Sequence, residues 1–469
     1  MTHKVIFFMG VWNDFILLSK IITKKTKIMR KIILSVILIT ILVLSVFSIY
    51  LFPESTVLGA HVVPLKLDTG DTAWMLCATG LVLLMTPGLG FFYGGMVGKK
   101  NVISTVLQSF IAMVIVTVLW VIVAFGLCFG PSIGGIIGDP TSNMFFSGVS
   151  ANTAWELAPT IPFLLFALFQ AKFAIITPAL ITGAFAERVR FWAYLLFMVL
   201  FVLFIYAPLC HMTWHPDGLF FGWGVLDFAG GTVVHMSAGW AALAGAMFLG
   251  KRKSEKSNPA RITYVLLGTG LLWFGWFGFN AGSAVGSNGL AAQALGTTTV
   301  AAGAAAMAWV FLDKILGHKL SAMGACIGAV VGLVAITPAA GFVTIPSALA
   351  IGIIASIVSN LVVSNFPKGK IDDALDVFAC HGVGGMVGML LTGVFASKSV
   401  NAIVGDNQGL IYGDATLFLI QLKALVIVSI FAFCASYALF FIVNKITPLR
   451  VSEEKEELGL DISQHGEYL

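Results

Sequence analysis

Charge is what this sequence has least of. Only 10% of its 469 residues are Asp, Glu, Lys or Arg, and 58% are hydrophobic. Ordinary soluble domains carry roughly a quarter charged residues, so a water-exposed globular surface is excluded. Mean hydropathy is +0.97, which places the chain among polytopic membrane proteins. Cysteine is sparse too. The six (77, 128, 210, 326, 380, 434) lie singly in apolar runs, and no CxxC occurs. That pattern gives neither a disulfide framework nor a zinc site. The net charge of +5 is spread over short loops rather than gathered in a basic stripe, so no nucleic-acid partner is expected. No nucleophile–base pair, phosphate loop or metal cluster is visible. The sequence therefore predicts neither an enzyme nor a cofactor.

Apolar runs long enough to span a bilayer, about 20 residues each, are abundant instead. Eleven are expected, at roughly 72–95, 102–129, 160–185, 190–210, 226–249, 262–285, 290–312, 321–338, 341–363, 374–396 and 415–444. Lys and Arg fall in alternate loops: Lys99 and Lys100, Arg188 and Arg190, the run from Lys251 to Arg261, Lys314 and Lys319, Lys368 and Lys370, then Lys445, Arg450 and Lys455. Lys398 is the exception. Basic loops face the cytoplasm, which predicts an outside start for the first span and an inside C-terminus. Before these spans, residues 32–52 form another apolar stretch, preceded by Met29-Arg30-Lys31 and ending near Gly59-Ala60. A signal peptide and an uncleaved twelfth helix are both compatible with it. Three regions follow: an N-terminal extension and signal peptide over 1–60, an eleven-helix domain over 61–449, and a cytoplasmic tail over 450–469.

Ionisable groups inside the bilayer are costly and face a cavity or a partner. Lys172, Asp227, His235 and His381 are such groups, with Lys423 less central. Asp227 precedes His235 by eight residues, and Asp376 precedes His381 by five. The two histidines sit in the fifth and tenth spans, each closing a set of five. An odd repeat unit inverts its copy, and inverted repeats place a transport site at their interface near the midplane. The histidines are thus expected to meet across a pseudo-twofold axis and line a pore.

Aromatic residues form a second constellation. Phe169 and Phe173 share one helical face in LFQAKFAIITPA. Phe279 and Ser283 are four apart in WFGWFGFNAGSA, and Trp214 ends the fourth span in HMTWHPDG. A cation site needs such rings to converge, which spacing alone does not give. His211 and His215 have the i, i+4 spacing of a metal pair. They lack a helical Glu or third ligand in sequence, so no metal is expected there.

The ordered motifs TPGLGFFYGGMVGKKN, ITPALITGAFAERVRF, DFAGGTVVH, GWFGFNAGSA, GACIGAVVGLVAITPAAG, DVFACHGVGGMVG and LRVSEEKEELGLDISQHGE resemble the ammonium transporters of the Amt/Mep/Rh family, on the Amt side. The resemblance implies an all-α cell-membrane protein of eleven helices in a five-plus-five inverted repeat, assembled as a homotrimer with a pore in each subunit. It implies an outer ammonium site at Trp214 and Ser283 with Phe169 beside them. Asp227 would hold the backbone there and add negative potential. A phenyl gate at Phe173 and Phe279 and pore histidines at His235 and His381 would follow below. Ammonium would lose its proton at this outer site, and ammonia would cross the apolar pore. Lys172, between the two span-three phenylalanines, is expected to lean away from the site toward a neighbouring helix or carboxylate, or to be neutral. Asp376 is read as the repeat counterpart of Asp227. The tail resembles one that packs on the cytoplasmic face, where PII-type signal proteins dock. The competing reading is an ammonium sensor signalling through such a partner. Sensor members often carry long C-terminal domains, and this tail of about 20 residues favours transport.

Overall fold

The computed structural model describes residues 32–48, 61–253, 258–365 and 371–469. It divides into two units, Met1–Thr56 and Val57–Leu469. The first contains an apolar helix, α1 (Ile32–Ser48). The cleavage position expected near Gly59-Ala60 lies outside the described residues.

The second unit is a predominantly helical membrane domain. Among the described residues, ten helices are long and apolar enough to cross a membrane. They are α2 (Thr69–Met96), α3 (Lys99–Phe129), α4 (Phe163–Phe185), α5 (Phe191–Gly222), α6 (Gly231–Leu249), α7 (Ile262–Ala284), α8 (Gly289–Ile315), α10 (Ile345–Asn365), α11 (Phe378–Phe395) and α12 (Thr416–Ile446). The expected eighth span is the shorter apolar helix α9 (Ala322–Ile336). Its rise is about 22 Å at 1.5 Å per residue, less than the roughly 30 Å of bilayer hydrocarbon. It stops early because the chain turns at Thr337 and Pro338 toward the site. Two small antiparallel pairs complete the domain: β1 (Val62–Pro64) with β4 (Thr153–Trp155), and β2 (Ser132–Ile133) with β3 (Ile137–Gly138).

The two halves correspond residue by residue around the histidines. Asp373, not Asp376, is the counterpart of Asp227, which corrects the sequence reading. Asp227 Oδ2 accepts the Thr232 N–H at 2.7 Å, five residues on. Asp373 Oδ2 accepts the Phe378 N–H at 2.7 Å, also five residues on. Each aspartate lies eight residues before its histidine. Asp376 instead matches Gly230, five before its histidine. Both have left-handed backbone, at φ 114° for Gly230 and 54° for Asp376. The residue after each aspartate also donates across the repeat: Phe228 N–H to Pro338 O and Ala374 N–H to Ala184 O. Asp376 misled because aspartate tolerates positive φ better than most residues and so occupies the turn position that glycine fills in the first half.

Both histidine-bearing helices open with a π-helical turn, Gly231–Met236 and Phe378–Val383. Such turns rotate side chains off the regular ladder and recur at functional sites. The helices cross where Gly239 meets Gly382. A Cβ on Gly239 would lie 2.1 Å from the Gly382 nitrogen, so backbone contact there requires glycine.

The C-terminal tail is packed rather than solvated. Asp461 accepts from Ile103 N–H (3.1 Å) and Ser104 N–H (2.7 Å), a carboxylate on the positive N-terminal end of a helix. Gln464 accepts from Phe191 N–H at 2.8 Å and donates to Val189 O. Lys100 Nζ donates to the Glu457 carbonyl. Arg450 pairs with the buried Glu456 at 2.8 Å. Above the tail, Arg252 binds Glu187 at 2.8 Å and Asp372 at 2.7 Å. Arg188 is wholly buried; burial pushes its guanidinium down to about 10.

Candidate functional site

Asp227 organises the site through its lone pairs. Oδ1 accepts the N–H groups of Gly230 (2.8 Å) and Gly231 (2.6 Å), and Oδ2 accepts the N–H and hydroxyl of Thr232 (2.7 and 2.5 Å). Four donors saturate the carboxylate, which caps the π-helical turn. What remains for a ligand is its negative charge, because Asp227 still borders a vestibule of about 330 Å³. Its carbonyl accepts the Trp214 indole N–H at 3.0 Å. That bond fixes the plane of the ring.

The vestibule wall includes Trp214, Phe173, Ser283, Gln170, Phe166 and Trp155. Ser283 spends its proton on the Phe279 carbonyl at 2.8 Å, leaving its oxygen free to accept from a donor in the vestibule. Phe173 and Trp214 meet in a T-shaped contact, with ring centroids 5.8 Å apart. Phe169 stands one layer back. It meets Phe173 at 5.0 Å, packs on Gly282, and is not part of the wall. Gln170 takes that place, with a buried Oε1 that has no partner. Sequence reasoning passed over Gln170 because a lone amide beside phenylalanines carries no periodic signal. Lys172 is half-buried and does not line the vestibule. It leans away from the site as expected, and of the alternatives for it the carboxylate partner is not found: among the described residues Lys172 makes no ion pair. Lys423 lies 3.4 Å over the Trp223 ring, a cation–π contact away from the vestibule.

Phe173 and Phe279 close the floor, with centroids 4.3 Å apart. Beneath them is a void of about 10 Å³ bordered by Phe279, Trp276, His235, His381, Ile176 and Leu272. That is the size of one water-sized molecule. His235 stacks on Trp276 at 5.4 Å and lies 5.9 Å from Phe279. The histidines meet through their Nδ1 atoms at 3.3 Å, as the repeat argument expects.

Hydrogen-bond accounting assigns their protons. Thr337 donates to Leu333 O at 2.8 Å, so its oxygen can only accept. It accepts from Trp276 Nε1–H at 2.9 Å and faces His235 Nε2 at 3.3 Å. A neutral His235 therefore carries its proton on Nε2, and its Nδ1 accepts from His381 Nδ1–H. His381 Nε2 is left as the bare nitrogen of the pair. Thr337 and Trp276 were not singled out from the sequence, because their roles exist only where the two repeats touch.

Fold and site together define a multi-pass helical membrane protein with an aromatic-capped vestibule above a narrow, histidine-bearing void. Comparison with known proteins makes this specific. The sequence model of the Ammonium Transporter Family matches residues 73–468, and the chain belongs to that family. It is 44% identical over 431 residues to an ammonium transporter of Aquifex aeolicus, covering 91% of this chain and 97% of that one. It is 45% identical over 407 residues to an ammonium transporter of Bacillus subtilis, covering 86% and 98%. Among solved structures, Saccharomyces cerevisiae Mep2 superposes with a TM-score of 0.78 at 34% identity, covering 86% of this chain and 92% of that one. A structure described as a sensor Amt protein gives 0.76 at 30% identity, covering 84% and 98%.

Proposed function

We propose that this protein recruits ammonium at the vestibule, where the ion gives up its proton to solvent water, and passes ammonia through the void between Phe279 and His381. The observation that carries the reading is the continuity of the path: an acceptor-bearing aromatic vestibule, a two-ring floor, and two hydrogen-bonded histidines directly beneath. A cation held over the Trp214 face gains roughly 0.5–2 kcal/mol. Ser283 and Gln170 supply acceptors for N–H donors, which potassium cannot offer. Bare ammonium faces a steep penalty in an apolar passage, so the neutral species crosses. The His235–His381 pair offers it one acceptor, the His381 Nε2, without a fixed charge.

In this reading the vestibule faces outward and the tail faces the cytoplasm, following the basic loops. The unit assembles as a homotrimer in the cell membrane. Residues 1–60 act as an extension whose apolar segment directs insertion. The acidic tail face is the docking ground for a PII-type protein. The second reading, a sensor, is favoured by likeness to the sensor Amt structure at 30% identity, whereas the ammonium transporters of Aquifex aeolicus and Bacillus subtilis stand at 44% and 45%.

The test is a solid-supported membrane recording on proteoliposomes given an ammonium pulse. A saturable current is expected where the proton removed at the vestibule also crosses, lost in Trp214→Leu and altered in His235→Ala and His381→Ala. Net ammonia conduction would give internal alkalinisation without current. Folded protein giving neither signal would overturn transport and leave the sensor reading.

A further inference from the structure

His211 and His215 looked like a metal pair without a third ligand. The fold turns one away and completes the other. His211 is committed: Nδ1 lies 2.9 Å from Cys128 O and Nε2 lies 2.8 Å from Ser132 Oγ. His215 is wholly buried, and its Nε2 has no partner. Beside it the chain brings His61 from the start of the domain and Asp217 from the following turn. One ligand atom from each of His61, His215 and Asp217 lies within 4.8 Å of the others.

We propose that His61, His215 and Asp217 form a binding site for a divalent transition-metal ion of the zinc class, beside the vestibule and separate from it. Two imidazoles and one carboxylate are a zinc-type ligand set that leaves a fourth position for water. Calcium and magnesium, which prefer all-oxygen shells, fit it poorly. Ligands about 2.0–2.2 Å from zinc stand roughly 3.3–3.5 Å apart, so the wider gaps in the set, up to 4.8 Å, must close by about one ångström while the 2.8 Å His61–Asp217 pair opens slightly. Asp217 can supply that movement, being 55% exposed, and it also gives the ion a way in. His61 Nε2 and Asp217 Oδ2 are 2.8 Å apart and share a proton that the ion displaces to solvent. His61 Nδ1 lies 2.8 Å from Glu156 Oε1, the outer carboxylate that commonly orients a ligating histidine. His215 Nδ1 now accepts the Asp217 N–H at 3.1 Å. Ligation through either nitrogen gives up that one long bond. The Trp155 ring lies 5.6 Å from both His61 and His215 and also walls the vestibule, so a bound ion would stiffen that wall.

The bland alternative is a histidine clasp that ties β1 and β4 to α5 without any metal. Equilibrium dialysis of the chelator-stripped, detergent-purified protein against zinc chloride separates the two, with cobalt substitution as a second readout. The expected result is one ion per chain and a tetrahedral cobalt absorption band. Affinity should fall at least tenfold in Asp217→Asn and in His61→Gln, and stay unchanged in Asp406→Asn, an exposed carboxylate elsewhere. Asp217 is exposed, so its variant carries the test even where His61→Gln fails to fold. One-to-one binding that survives in Asp217→Asn, or no binding at 100-fold molar excess of zinc over protein, overturns the proposal.

Discussion

Single atoms decide the chemistry of this site. The Thr337 oxygen receives two N–H groups and is thereby the reference that sets the tautomers of both histidines. Thr337→Val keeps the volume and removes the acceptor. The buried Trp276 N–H would then be orphaned, at a cost of about 1–3 kcal/mol. We expect a lower melting temperature and an ammonium current reduced several-fold, measured on the same preparation. A current equal to wild type would show that the histidine tautomers do not need this anchor. Backbone contact is equally specific at Gly239. A methyl group there would overlap the Gly382 backbone, and overpacking typically costs about 1–3 kcal/mol. Gly239→Ala is expected to push the histidine helices apart and abolish transport. Gly270→Ala, which meets nothing within 4 Å, should be silent in the same assay.

At the scale of elements, loops and tail hold one another by charge. Burial alone would raise the Glu187 carboxyl, but the Gly98 N–H and the Arg252 guanidinium hold it below its ordinary value. Asp372 behaves alike, with Arg252 outweighing burial. A carboxylate with a depressed folded pKa stabilises fully above its unfolded value, near 4. The contribution is lost as pH falls through the folded value. The loop junction should therefore loosen as pH drops below about 4. Glu187→Gln is expected to lower the melting temperature at pH 7 and to flatten this acid limb, as read by thermal denaturation across pH. An acid limb of unchanged steepness would place the sensitivity elsewhere. The tail prediction is separate. Asp461→Asn weakens the cap on the first turns of α3, and we expect faster proteolysis of residues 450–469 with the membrane domain intact.

For the molecule as a whole, orientation and repeat are the two statements that matter. Orientation rests on lysine and arginine placement. It predicts that an impermeant maleimide labels Asp406→Cys in intact cells and Ser452→Cys only after permeabilisation. The background should lack the exposed Cys77 and Cys434. The opposite labelling pattern would invert the proposed transport path.

The sequence carried much of this. Apolar length and basic loops determine a many-span helical protein, because hydrocarbon tolerates only helices or closed barrels and each span announces itself locally. The placement of His235 and His381 in the fifth and tenth spans was enough to predict that they meet. Other features were decided only by tertiary structure. Whether Asp373 or Asp376 answers Asp227 depended on which of them has left-handed backbone. Whether Phe169 or Gln170 faces the vestibule depended on the rotation of one helix. The partners of His215 come from residue 61 and from a turn, and nothing in the local pattern announces them. Composition and periodicity report each segment's solvent. Which polar atoms touch is settled by contacts between segments far apart in the chain, where hydrogen-bond geometry is fixed to tenths of an ångström.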